Sequence, residues 1–134
     1  MANRHRDWLR QAEADLRHSR NSLQSGDYEW SSFAAQQAAE KALKAVFLRR
    51  SMEAWGHTVS VLIGKLAETL PVPDNLIQLA KMLDKHYIPA RYPNGFDSGA
   101  PTDFYTQPEA EAAIRNAELI LEFCRHQIGE SGRD

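Results

Sequence analysis

A single cysteine, Cys124, occurs in the 134 residues, so no internal disulfide can form and no thiolate pair can hold a metal. The longest apolar runs fall well short of the roughly 20 residues that a helix needs to cross a bilayer. Arg4, His5 and Arg6 lead into an amphipathic pattern, without the apolar core of a secretory signal. These features predict a cytoplasmic protein with no membrane segment. No stretch alternates polar and apolar residues as a half-buried strand does. No glycine-rich phosphate loop, Gly-x-Ser-x-Gly elbow, His-Glu-x-x-His or Glu-x-x-His pair occurs. The histidines, His5, His18, His57, His86 and His126, are scattered, so neither a metal nor a cofactor is expected.

What is present is helical periodicity. Trp8, Leu9, Ala12, Leu16 and Leu23 predict a first helix over about 3–24, stopped by Gly26. Asp27 can cap a second helix over 28–48, whose inner stripe reads Trp30, Phe33, Ala34, Gln37, Ala38, Lys41, Ala45 and Leu48, with Leu43, Val46 and Phe47 widening the apolar surface near its end. The run of small residues from Ala34 to Ala39 lets neighbours approach closely and predicts the central helix. A third helix opens at His57-Thr58 with Val59, Leu62, Ile63, Leu66 and Leu70 inward, and Pro71 ends it. Asp74 caps a fourth, with Leu76, Ile77, Ala80, Leu83 and Tyr87 inward. Thr106-Gln107-Pro108-Glu109 reads as a capping box with proline in the first turn, opening a last helix lined by Ala110, Ala113, Ile114, Ala117, Leu121, Cys124 and Ile128. The fold expected is all-α: an up-and-down bundle of four to five helices. One domain over 1–128 and a frayed tail over 129–134 follow from the length and the final Gly-Glu-Ser-Gly-Arg-Asp.

Charge and aromatics concentrate attention on one region. Residues 41–91 hold eight basic against four acidic side chains, whereas 101–134 hold seven acidic against three basic. Between the fourth and last helices, residues 84–106 carry Tyr87, Tyr92, Phe96, Phe104 and Tyr105 interspersed with Pro89, Pro93 and Pro101. Disordered segments are poor in aromatics, so this long loop is expected to be ordered and functional.

Two arginine–histidine groups could do chemistry. Arg50 and His57 span the second helix junction with six residues between them. A guanidinium fork binds phosphate and an imidazole moves protons near neutral pH, a pairing suited to metal-independent RNA cleavage. The structural alternative makes Arg50 a helix-end cation and His57 a cap. His86 and Arg91, with four residues between them, lie beside Tyr87 and Tyr92. There arginine could hold a phosphate while tyrosine stacks on a base, with Asp84 and Lys41 as further contacts. Alternatively the tyrosines plug the bundle end.

The helix Trp30-Ser-Ser-Phe-Ala-Ala-Gln-Gln-Ala-Ala-Glu-Lys-Ala-Leu-Lys-Ala45, Gly56-His57-Thr58 and His86-Tyr-Ile-Pro-Ala-Arg-Tyr-Pro93 together resemble the HEPN domain family, from about Trp8 to Arg125. The resemblance implies a small helical bundle, usually a homodimer, often encoded beside a minimal nucleotidyltransferase in a toxin–antitoxin-like pair. Many members of that family are metal-independent endoribonucleases with an Arg-x4–6-His motif near the start of a late helix. Here the late order is reversed, His86 before Arg91, and the matching spacing from Arg50 to His57 occurs earlier. The leading expectation is therefore a module that binds nucleotide or RNA and works with a nucleotidyltransferase subunit. An endoribonuclease toxin with an Arg/His pair acting across a dimer interface, and a pure protein-interaction module, are the alternatives.

Overall fold

The structure, a computed structural model, describes residues 3–129. The tail expected to fray lies outside them except for Gly129, which ends the last helix in the left-handed region at φ 88°. The described elements are α1 (His5–Gln24), α2 (Tyr28–Arg49), α3 (Val59–Leu66), α4 (Asp74–Asp84), a 3₁₀ turn (Pro93–Gly95), α5 (Pro101–Phe104) and α6 (Gln107–Ile128). No strand occurs among the described residues. The all-α bundle is thus as expected, with a one-turn helix and a 3₁₀ turn inside the long loop.

Helices α1 and α2 form a hairpin whose turn passes through Gly26 at φ 80°. Ser19 and Ser31 lock it internally: each hydroxyl donates to the other's backbone carbonyl, at 2.6 and 2.8 Å. Two small side chains satisfying each other let the helices approach without stranding a buried polar group. Helix α6 lies along both, tied to α1 by Arg20–Glu118 and by Arg125–Glu13.

Helix α2 is central, as the alanine run predicts, and Leu43, Val46 and Phe47 widen its buried surface near the end as expected. Ala35, Ala38, Ala39, Ala42 and Ala45 are fully buried, and the buried arc is wider than one stripe along the helix. Phe33, Gln37, Lys41 and Leu48, expected on the inner stripe, lie instead at its half-buried edge, and Trp30 is exposed. The reason is packing on several sides: α1, α6, α3 and α4 all touch α2, so no single face is the inner one.

Local signals mostly set the boundaries. Asp74 is the first residue of α4 and Pro73 its cap position, one residue earlier than expected. Helix α3 ends at Leu66, yet Leu70 still reaches the core through the turn that follows. Cys124 is buried in the core stripe of α6, where desolvation pushes its thiol pKa far up and leaves it unreactive. The capping box before α6 is present: Thr106 Oγ1 accepts from the Glu109 N–H at 3.3 Å, and Glu109 Oε1 accepts from the Thr106 N–H at 3.3 Å. Thr106→Ala removes one half of that exchange and should destabilise the protein by about 0.5–2 kcal/mol, read as a lower urea midpoint with an unchanged slope.

Candidate functional site

The α2–α3 connection and the segment after α4 meet over one edge of α2. Asp84, at the end of α4, makes the junction: its carboxylate accepts from the Val59 N–H at 2.6 Å, from the Ser60 N–H and from the Ser60 hydroxyl. These are the first donors of α3, which the Thr58 side chain leaves uncapped. An anion at a helix N-terminus is favoured by the orphan N–H groups and the dipole. Asp84 thereby clips the His57 loop to the turn that carries Tyr87.

His57 lies beside Tyr87, the two rings stacked at 4.9 Å and 16°. Its Nδ1 is 2.9 Å from Glu40 Oε2. Glu40 is only 3% exposed, and its carboxylate also takes Lys44 Nζ at 3.0 Å and Gln36 Nε2 at 3.4 Å. Gln36 Nε2 in turn donates to the His57 carbonyl at 3.0 Å, holding the backbone. A carboxylate can only accept, so Nδ1 donates to Glu40, and in the neutral form of this half-exposed imidazole Nε2 is the acceptor.

Arg91 is held from three sides. Its guanidinium carbon lies 4.4 Å from the Phe33 ring centroid, 4.6 Å from that of Tyr87 and 5.1 Å from that of Tyr92. Nε donates to the Tyr87 carbonyl at 2.8 Å. Among the described residues nothing accepts from its two Nη groups. A guanidinium that is stacked, oriented and unpaired at its fork is arranged for a phosphate or carboxylate.

The residues singled out from sequence therefore regroup. His57 and Arg91, drawn from different candidate pairs, share the Tyr87 ring. Arg50 is exposed at the end of α2, and its side chain makes no hydrogen bond, ion pair or ring contact with a described residue. His86 turns towards Tyr105, its Nδ1 2.9 Å from the phenol oxygen. Lys41 pairs with Asp15 at 2.6 Å, on the far side of Phe33. Tyr92 is 48% exposed at the rim. Sequence reasoning misses Glu40 and Phe33 as members of the site. Their signal is their spacing with Gln37 and Lys44 along one face of α2, and a lone carboxylate inside an alanine-rich run. A cleft of about 370 Å³ opens beside His57 and Tyr87, walled by Thr58, Asp84, Ile88 and Pro89. Among the described residues no three His, Cys, Asp or Glu side chains stand together to hold a metal, and no helix is long and apolar enough to cross a membrane.

Comparison with known proteins agrees with this architecture. The HEPN domain model matches residues 5–127. The structure superposes on TT1696 from Thermus thermophilus with a TM-score of 0.91 at 49% identity, covering 94% of this chain and 99% of that one. An archaeal HEPN homologue, ST0689, gives 0.81 at 38% identity over 95% and 99% of the two chains. A HEPN domain protein of Thermotoga maritima gives 0.77 at 36% over 92% and 98%. The Methanocaldococcus jannaschii protein named "Putative toxin MJ1304" is 28% identical over 132 residues, 92% of this chain and 87% of that protein.

His86 provides a test of the loop's anchoring. Burial lowers its pKa below the ordinary 6.5, the nearby Glu109 only partly opposing this and Lys85 adding to it. Tyr105, also desolvated, is pushed up to about 12 and remains a neutral donor. A histidine whose folded pKa lies below its unfolded one favours folding while neutral. Its contribution is complete above 6.5 and is lost as pH falls through the lowered folded value. The stability gap between the protein and His86→Gln should therefore narrow as the pH is lowered below 6.5, and a gap constant with pH in urea titrations would contradict this anchoring.

Proposed function

The chain belongs to the HEPN domain family, and from that premise we propose a HEPN module that binds nucleotide or single-stranded RNA through Arg91 and works with a nucleotidyltransferase subunit in a toxin–antitoxin-type pair. The observation that carries the binding part is the Arg91 guanidinium, stacked by Phe33, Tyr87 and Tyr92 and unpaired at both Nη groups among the described residues. Most of the entropy of ordering this side chain is already spent in the free protein, which favours binding. A phosphate on the fork with a base against an adjoining ring is the common grammar of single-strand recognition. The toxin-like role is supported by the name of the Methanocaldococcus jannaschii relative. The partner subunit and a homodimeric state rest on the family resemblance.

A second reading, metal-independent RNA cleavage, has its own observation: the Glu40–His57 pair. In it, His57 Nε2 takes the proton of a 2′-hydroxyl and the 2′-oxygen attacks the adjacent phosphorus. The P–O5′ bond breaks, and the departing oxygen is protonated by water. Arg91 would stabilise the charge that builds on the phosphorane oxygens. This pairs His57 with Arg91 rather than with Arg50.

One set of measurements separates the readings: binding and cleavage of a short RNA in chelator by the protein, Arg91→Ala, Arg91→Lys and His57→Ala. Arg91→Ala should weaken binding about tenfold or more, since it removes charge-assisted hydrogen bonds. Arg91→Lys should not restore it, because an ammonium has no fork and stacks poorly. Cleavage by the protein that His57→Ala abolishes selects the second reading. Unchanged binding in folded Arg91→Ala excludes this site altogether.

A further inference from the structure

The rings around Arg91 do not end there. Trp30 packs edge-on against Phe33, with ring centroids 6.2 Å apart. Phe33 carries Arg91, Arg91 lies on Tyr87, and Tyr87 stacks with His57. The result is a continuous ladder from Trp30 to His57 with the guanidinium in its middle. Each end opens on a different cleft. His57 and Tyr87 line the one already described. Trp30 and Phe33 line a second, of about 200 Å³, with Asp15, His18, Gln37 and Lys41 around it.

The second cleft has the chemistry of a base subsite. Trp30 is 48% exposed although it is among the largest apolar side chains of the protein, and no described element covers it. Most polar groups of the wall are committed. Lys41 is neutralised by Asp15, and the Gln37 amide nitrogen is taken by Gln36 Oε1 at 2.8 Å. Left without a partner among the described residues are the exposed His18 ring and the Gln37 carbonyl oxygen. An acceptor beside a stacking indole suits a base that carries an exocyclic amine.

Resting on the binding reading above, we propose that this cleft is a second base subsite. The ligand is then a strand of at least two nucleotides, its linking phosphate on Arg91 and an amino-bearing base, adenine or cytosine, on Trp30. A mononucleotide fills only half of the ladder.

Calorimetric titration with adenosine monophosphate, a diadenosine dinucleotide, an oligo-adenylate tetramer and the matching uridine series tests it. Affinity should rise roughly five- to a hundredfold from the adenine mononucleotide to the longer strands, as one added stacked base provides. The rise should be smaller for uridine. Trp30→Ala should remove the rise, whereas Trp30→Phe should retain part of it. Equal affinity at all lengths, with Arg91→Ala still weakening every ligand, overturns the subsite and spares the Arg91 site. Binding that neither variant changes overturns both.

Discussion

A helix packed by neighbours around most of its circumference can carry function only along the strip left uncovered. In this protein α2 is that helix. Its alanines are buried against α1, α6 and the α3–α4 pair, which leaves one edge for long or polar side chains. Phe33, Gln37, Glu40, Lys41 and Lys44 follow each other there at helical spacing. The rest of the candidate site is what folds over that edge. Asp84 fixes the α3 N-terminus, so His57 arrives above Glu40, and the turn after α4 brings Arg91 onto Phe33.

This arrangement explains why a carboxylate tolerates the interior. Glu40 is surrounded by Lys44, His57, Gln36 and Gln37, so its lone pairs are met by donors rather than by water. Removing one of these donors would leave a buried charge short of partners. The carboxylate therefore orients His57 and depends on it. Arg91 works in the opposite sense: its stem and face are satisfied by rings and one carbonyl, and its fork is left over for something else.

The helical class, the central place of α2, the core burial of Cys124 and the capping box before α6 were legible because each depends on residues near in sequence. Thr106 and Glu109 are three positions apart, and an alanine run needs no partner to be noticed. The candidate site was legible in composition but not in pairing. Arg91, His57, Tyr87 and Tyr92 could be named, yet which histidine meets which arginine is set by a carboxylate–amide clip between residues 25 positions apart. Spacing along the chain suggests Arg50 with His57 and His86 with Arg91; the clip instead gathers His57 and Arg91 around Tyr87. Periodicity also places Trp30 in the core, because it cannot tell the inner face of a helix from the rim of a cleft.

The central claim is that Arg91, and not Arg50, is the anion-binding guanidinium of this domain. Arginine side-chain NMR of the nitrogen-labelled protein during titration with a short single-stranded RNA tests it most directly. The account predicts that the Arg91 Nε resonance moves and that its Nη protons, now hydrogen-bonded, become visible, while Arg49 and Arg50 stay where they were. A titration in which the Arg50 signals shift and those of Arg91 remain fixed would contradict it.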